Sequence, residues 1–227
     1  MRPLVLWDVD HTLIDNAGTS KAAYAAAFRA LVGTDPSVRP ATDGRTDIEI
    51  MRNLFAANGV DGSFPELERS LITALRRSDL LSRGSALPGA AESIRAIDRD
   101  LPTAVQSVLT GNLAENAGLK LRLLGDAATH LDLDIGAYGS DDATRSNLVA
   151  IAQDRAATKH GTSFTRASTV LIGDTTRDVA AALTGGARCL AVATGPTPAE
   201  DLAAAGHTAY CPISPTPPLC WQPYASC

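Results

Sequence analysis

Two aspartates end an apolar run close to the start of the sequence. Residues 4–7 are Leu-Val-Leu-Trp, Asp8 follows them, and Asp10 comes two residues later. A strand buried in a parallel sheet has a continuous apolar sequence, and such sheets place their chemistry beyond the carboxyl ends of the strands. Two carboxylates at that edge repel each other unless a cation or a proton transfer uses them. The spacing therefore predicts an active site at the end of the first strand.

A second pair of acids follows a later apolar run. Residues 168–173 lead into Asp174, and Asp178 lies one helical turn further on, where it can face the same crevice. Oxygens of Asp8 and Asp174, with waters and a substrate oxygen, suit octahedral Mg²⁺. Once a metal screens the like charges, Asp8 can attack phosphorus as a nucleophile and form an aspartyl-phosphate. Asp10 would then move a proton, first to the leaving group and later from water.

Polar groups that could hold a phosphate follow a strand predicted at residues 104–110. Thr110, Gly111 and Asn112 lie where this strand gives way to a helix, so that a hydroxyl and backbone N–H groups can contact phosphoryl oxygens. A cation on the far side would complete the cage. Lysines are few, and Arg145, at the start of a predicted helix, is a better candidate than Lys159 near the end of that helix.

Helix capping is the alternative interpretation of these residues. Asp174, Thr110 and Asn112 could each cap a following helix. Arg145 could be a surface arginine, although the helix dipole disfavours a cation at a helix start. The presence of acidic pairs at two strand ends favours the catalytic interpretation.

Alternating strand and helix patterns would position these side chains. Strands are predicted at 104–110, 168–174 and 189–194, with weaker ones at 134–139 and 208–211, and helices at 89–99, 113–124, 145–159, 176–184 and 198–205. This alternation is typical of βαβ units. It predicts an α/β protein whose three-layer, Rossmann-like core with a parallel sheet comprises residues 1–14 and 89–211.

Residues 15–88 interrupt the alternation. They contain helical patterns near 18–32, 46–58 and 64–81 but no good strand pattern, which predicts an inserted α-helical cap domain. Within it, Gly44 permits a tight backbone and Arg45 could contact a substrate anion, although a plain turn and helix cap explains the segment equally well. Residues 212–227 include five prolines and are expected to form an irregular tail.

These motifs resemble those of the haloacid dehalogenase-like hydrolase superfamily, especially its phosphatases with a helical cap after the first strand, such as phosphoglycolate phosphatase-like proteins. Residues 8–13 match its Asp-x-Asp-x-Thr-Leu motif, and residues 173–178 match its Gly-Asp-x-x-x-Asp motif. Thr110 stands for the hydroxyl that ends its second strand, and Arg145 for its lone Lys or Arg. His11 is a departure, because the family most often has glycine there.

The resemblance also implies a role for each acid. Asp8 would be the nucleophile and a metal ligand, and Asp10 the general acid/base and a ligand through its backbone carbonyl. Asp174 would bind the metal directly, and Asp178 either directly or through water. Mg²⁺ is the cofactor that these ligands imply.

Composition and charge argue against several other partners and locations for this protein. The net charge of −5 with no basic stripe argues against a nucleic-acid partner, and no apolar run is long enough for a membrane span. A first strand that begins near residue 4 leaves no room for a signal peptide, so a cytoplasmic location is expected. The four cysteines lack the spacing of a zinc site.

The sequence thus predicts a Mg²⁺-dependent phosphoester hydrolase that acts on a small phosphorylated metabolite. Two alternatives stay open, a phosphosugar mutase of the same superfamily and a non-catalytic scaffold that retains the fold. Release of phosphate, as opposed to isomerisation with the phosphate retained, separates the hydrolase from the mutase. Neither the particular substrate nor the oligomeric state can be derived from the sequence.

Overall fold

The computed structural model describes residues 2–39, 41–61 and 66–206, together with the backbone alone at residues 64, 65 and 209–211. The predicted tail, residues 212–227, lies outside the described residues. The strands are β1 (Leu4–Trp7), β2 (Ile14–Asp15), β3 (Ser85–Ala86), β4 (Val105–Thr110), β5 (Ala137–Tyr138), β6 (Thr169–Gly173), β7 (Arg188–Val192) and β8 (Ala209–Cys211). The helices are α1 (Thr19–Val32), α2 (Asp47–Ala57), α3 (Phe64–Arg76), α4 (Leu80–Arg83), α5 (Ala90–Asp100), α6 (Ala114–Leu121), α7 (Asn147–His160), α8 (Thr176–Gly185) and α9 (Ala199–Ala204).

Strand β1 lies inside a parallel sheet of order β5-β4-β1-β6-β7-β8. All four of its residues are buried, which explains its wholly apolar sequence. In the parallel register, Leu4 pairs with Val105 of β4 and with Thr169 of β6. The three strands therefore end near one another, and the residues that follow them share one edge of the sheet. The predicted α/β fold with a parallel sheet is confirmed.

Helices cover both faces of the sheet. Leu4 and Leu6 of β1 pack in one apolar cluster with residues of α7 and α8, such as Leu148 and Val179. Val5 and Trp7, which point the opposite way because side chains alternate along a strand, pack in a second cluster with residues of α5 and α6. These two clusters make the three predicted layers.

Helices α1 to α4 form the helical insert, by which we mean residues 15–88. They pack around an apolar cluster of their own, in which the Phe28 and Phe55 ring centroids lie 5.0 Å apart. The antiparallel pair β2–β3 joins the two ends of the insert. The division into a core (1–14 and 89–211) and a cap (15–88) as separate domains stays a prediction.

Several predicted elements differ from those observed. The pair β2–β3 was not expected in the insert, because strands of two residues are too short to show a periodic pattern. The helix predicted over 64–81 is divided into α3 and α4, and the strand predicted over 134–139 is reduced to β5 after a 3₁₀ turn at Leu133–Ile135. Helix α6 ends at Leu121 and continues as 3₁₀ structure to His130.

Within the described ranges, no helix has the length and apolar character needed to cross a membrane.

Candidate active site

Three buried aspartates meet at the carboxyl edge of the sheet. Asp8 follows β1, Asp174 follows β6, and Asp178 lies in the first turn of α8. One carboxylate oxygen from each lies within 4.8 Å of the others, and all three residues are buried. Among the described residues, this is the acidic group whose spacing could hold a metal ion. The structure therefore brings together three acids that the sequence predicted to be neighbours.

Arg145 connects two of these acids. Its Nη2 donates to Asp8 Oδ1 at 2.6 Å and to Asp178 Oδ1 at 2.5 Å. Burial alone would lower the pKa of Arg145, but Asp178 and Asp8 raise it, so the guanidinium is a permanent cation. The sequence placed Arg145 at the start of a helix, whereas it lies in the turn that precedes α7. From this turn it reaches the nucleophile candidate, as well as the cavity in which a phosphate would lie.

Asp178 has both carboxylate oxygens engaged. Oδ1 accepts from Arg145, and Oδ2 accepts from the Thr175 backbone N–H at 3.0 Å and from its hydroxyl at 2.6 Å. The second set forms a capping box at the start of α8. Asp178 thus caps α8 and also holds Arg145 at the site.

Asp174 has an oxygen that fits a metal ligand. Its Oδ1 accepts from Thr12 Oγ1 at 3.1 Å, but its buried Oδ2 has no hydrogen-bond partner in the described structure. A Cβ at residue 195 would lie 1.7 Å from this Oδ2, so only glycine fits there. A buried carboxylate oxygen without a partner is costly, and a hard cation is a suitable partner for it. The residues present therefore fit a divalent metal.

Burial and mutual repulsion disfavour negative charge in this cluster. Burial raises the pKa of Asp8 to about 7, against the opposing effect of Arg145. Burial, followed by repulsion from Asp8 and Asp178, raises the pKa of Asp174 to about 9. The single positive charge of Arg145 does not neutralise three carboxylates, so a further cation at the cluster would stabilise their charged forms.

Asp10 lies in a separate hydrogen-bonded group. Its Oδ2 accepts from Lys120 Nζ at 2.6 Å and from Asn112 Nδ2 at 2.8 Å, and its Oδ1 accepts from Asn16 Nδ2 at 2.6 Å. Burial alone would raise the pKa of Asp10, but the charge and hydrogen bond of Lys120 hold it below its usual value. Asp10 is therefore a carboxylate at neutral pH, ready to accept a proton.

Lys120 is the functional residue that the sequence analysis did not assign. It is 1% exposed and lies on α6, where it also donates to Asn112 Oδ1. The sequence does contain a signal for it, because residues 113, 116, 117, 120 and 121 form the buried face of α6 at helical spacing. A lysine on such a face needs an acid to pair with, and Asp10 is that acid.

The predicted phosphate-binding residues line one cavity with the acids. This cavity has a volume of about 260 Å³ and is bounded by Thr110, Gly111, Asn112 and Arg145 on the side of the core. The insert contributes Arg45 and Lys21. Arg45 donates from Nε to Glu49 at 3.0 Å, an ion pair that holds the arginine at the cavity wall. A small ligand in this cavity would contact both the sheet edge and the insert.

His11 lines the same cavity in an unusual backbone conformation. Its φ is 60°, in the left-handed region that favours glycine. The conformation follows from the tight turn after Asp10, in which the His11 N–H donates to the Ile14 carbonyl at 2.8 Å. This explains why glycine suits the position and how histidine, which is tolerated better than branched residues in this region, can replace it.

We expect His11→Gly to leave the free energy of unfolding within about 1 kcal/mol of the wild type, because relief of strain offsets the greater entropy of the unfolded chain. His11→Val should destabilise the protein by about 1–3 kcal/mol, since a β-branched residue is strained at this φ. Urea denaturation measures both. Equal stability of the valine variant and the wild type would show that residue 11 does not have a left-handed backbone.

Comparisons with known proteins show which proteins this chain is similar to. Residues 146–213 match the family described as HAD-hydrolase-like. A hydrolase from Pseudomonas syringae superposes with a TM-score of 0.70 at 20% identity, over 99% of this chain and 98% of its own. A predicted phosphatase from Clostridium acetobutylicum gives 0.68 at 16% identity, over 94% of both chains. CbbY from Rhodobacter sphaeroides, solved in complex with phosphate, gives 0.69 at 19%, over 93% and 94%. A search of curated proteins finds no significant match.

Structural likeness at these identities shows a shared fold, that of the haloacid dehalogenase-like hydrolases. The family match covers Asp174 and Asp178, and the opening motif lies on the strand that this fold requires. The chain therefore has the fold of the haloacid dehalogenase-like hydrolases, and over residues 146–213 its sequence is similar to theirs.

Proposed function

We propose that this protein is a phosphatase that hydrolyses a small phosphorylated metabolite with a divalent metal, Mg²⁺ by the preference of its ligands. One observation carries the proposal: two of the three clustered acids, Asp8 and Asp174, line one cavity of about 260 Å³ together with Arg145 and with Asp10, which is paired with Lys120. Such a site provides a nucleophile, a base and cations for a phosphoryl group within one small volume.

Asp8 is the proposed nucleophile. Its carboxylate would attack phosphorus, forming an acyl phosphate on Asp8 as the bond between phosphorus and the leaving oxygen breaks. Arg145, which already contacts Asp8, would stabilise negative charge on the transferred group together with the Thr110 hydroxyl. A bound metal would supply further positive charge there and lower the repulsion between carboxylates.

Asp10 is the proposed proton carrier. Because the pKa of Asp10 is lowered, Asp10 starts the reaction as a carboxylate. The leaving oxygen needs a proton, which the substrate would bring if it binds as a phosphate monoanion. Asp10 would pass this proton from the phosphate to the leaving oxygen. In the second half of the reaction Asp10 would accept a proton from the water that attacks the phosphorus of the Asp8 acyl phosphate. Lys120 and the two asparagines hold the carboxylate in place for both transfers.

Hydrolysis of p-nitrophenyl phosphate with Mg²⁺ tests the proposal, followed by the same assay with a chelator. The proposal predicts turnover that chelation abolishes and that Mg²⁺ restores. Activity that survives chelation would contradict the metal dependence. A screen of phosphorylated metabolites would then identify the substrate, and release of inorganic phosphate would exclude the mutase alternative.

Metal binding should also stabilise the protein, more strongly at high pH. The folded-state pKa values of Asp8 and Asp174 are raised, so the metal-free protein holds protons that the unfolded chain releases, and it loses stability as pH rises from about 4 to about 9. Mg²⁺ competes with these protons. At a concentration of 100 times its Kd it adds about 2.7 kcal/mol. Thermal denaturation with and without Mg²⁺ at pH 6 and pH 8.5 measures the effect.

A pair of variants makes this measurement specific. Asp174→Asn should abolish the shift in Tm, whereas Asp134→Asn, which changes an exposed acid outside the site, should retain it. An equal shift in both variants would place the metal elsewhere.

A further inference from the structure

Asp47 lies at the boundary between the helical insert and the sheet edge. It is the first residue of α2 and is 3% exposed. Its Oδ1 accepts from the Tyr24 hydroxyl of α1 at 2.6 Å, and its Oδ2 accepts from the Leu113 backbone N–H at 2.8 Å. One carboxylate of the insert therefore holds the segment that follows β4.

That segment begins α6, which lacks a capping side chain of its own. The residue at its cap position is Leu113, which makes no side-chain cap hydrogen bond. The first N–H groups of a helix need acceptors, and a negative charge near them is stabilising. Asp47 provides both from the helical insert. Near the other end of this short helix, Lys120 binds Asp10.

Asp47 holds the backbone on both sides of Asn112 by hydrogen bonds. The Asp47 N–H donates to the Gly111 carbonyl at 2.7 Å, while its carboxylate binds Leu113. A Cβ at Gly111 would lie 2.3 Å from the Arg45 carbonyl oxygen, so the two segments are in direct contact. Asn112, between these two attachments, donates to Asp10.

We propose that Asp47 is a positioning residue that couples closure of the helical insert to assembly of the Asp10–Lys120–Asn112 group. With the insert in place, Asp47 completes the start of α6 and fixes Asn112. When the insert moves away, α6 loses its acceptor, and two of the three partners of Asp10, Lys120 and Asn112, lose their support. Proton transfer would then be efficient only while the insert covers the substrate. This inference rests on the proposed phosphatase function.

Steady-state kinetics of Asp47→Asn provide the first test. The amide retains the shape but loses the charge and one acceptor, and the loss of a charged hydrogen bond corresponds to about a 10- to 100-fold effect. We expect this loss in kcat, with KM changed less than about 3-fold. Glu66→Gln, the matched change of an exposed acid in the first turn of α3, should leave both constants unchanged. Tyr24→Phe, which removes one donor to Asp47, should lower kcat less than Asp47→Asn does.

Hydrogen exchange provides a second readout that needs no substrate. Amides of residues 113–121 should exchange faster in Asp47→Asn than in the wild type, while those of β6 and α8 should not change. Unchanged exchange in α6, or an Asp47→Asn variant with altered KM and wild-type kcat, would overturn the proposal. If the wild type hydrolyses no phosphoester, the phosphatase function fails, and the exchange in α6 still decides whether Asp47 supports this helix. If Asp47→Asn does not fold, Tyr24→Phe is judged by the same two measurements.

Discussion

Asp8→Asn is expected to lower kcat for phosphoester hydrolysis by at least about 10³-fold, because an amide oxygen cannot serve as the nucleophile. The same change should not destabilise the metal-free protein. The raised pKa of Asp8 shows that charge in this cluster is costly, so that a neutral isostere relieves repulsion. Arg145 keeps its bond to Asp178. Activity falls, therefore, while the metal-free Tm is equal or higher.

The control for this variant is Asp154→Asn, which makes the same change at an exposed position of α7. It should retain both the kcat and the Tm of the wild type. Initial rates with p-nitrophenyl phosphate and thermal denaturation give the two quantities. Retention of more than about a tenth of wild-type turnover by Asp8→Asn would exclude Asp8 as the nucleophile, since nucleophile loss costs far more.

Lys120→Met should affect both stability and catalysis. Methionine fills a similar volume, but Asp10 loses its cation, and breaking a buried ion pair costs several kcal/mol. Because Asp10 is partly open to the cavity, we expect a smaller cost of about 1–3 kcal/mol near neutral pH. The lowered pKa of Asp10 contributes stability above pH 4 that is lost as pH falls. The cost should therefore shrink towards pH 3.

The catalytic effect of Lys120→Met has a defined direction. Without Lys120 the pKa of Asp10 rises, so less of it is a carboxylate at a given pH, and the acidic limb of the kcat profile moves to higher pH. A general base contributes about 10²- to 10⁴-fold, and we expect a loss of about 10²-fold at pH 6. Lys159→Met is the matched control, because Lys159 pairs with Asp132 and Asp134 at the surface. If the acidic limb of the kcat profile does not shift in Lys120→Met, Lys120 does not control the protonation of Asp10 in catalysis.

The sequence predicted the parts of this fold that depend on local patterns. The apolar run before Asp8 predicted a buried strand, and the repeated alternation of strands and helices predicted the parallel sheet, which the structure confirms. The acids at the ends of β1 and β6 were expected together because the carboxyl ends of parallel strands lie at one edge of a sheet. The structure adds the strand order and register, which the sequence did not predict and which make β1 and β6 neighbours.

The contacts that were missed depend on the tertiary structure. Lys120 is hydrogen-bonded to Asp10, 110 positions away in the sequence, and Asp47 to Leu113, 66 positions away. Neither pair has a recognisable sequence spacing, because the distance between partners is set by how α6 and the insert pack. The structure brings Arg145 to the acids, as the sequence led us to expect, but its bonds to Asp8 and Asp178 could not be derived from a helix start. The buried position of Lys120 was available from helical periodicity alone.

The most direct test of the central proposal is to trap phosphate on Asp8. In Asp10→Asn, the Asp8 acyl phosphate should form with p-nitrophenyl phosphate, whose leaving group needs no proton, and should be hydrolysed slowly without the base. Borohydride reduces an acyl phosphate to an alcohol, which converts the aspartate to homoserine, and peptide mass spectrometry locates the change. The account predicts a burst of one p-nitrophenol per protein and homoserine at position 8. A burst without modification at residue 8, or homoserine at another aspartate, would contradict it.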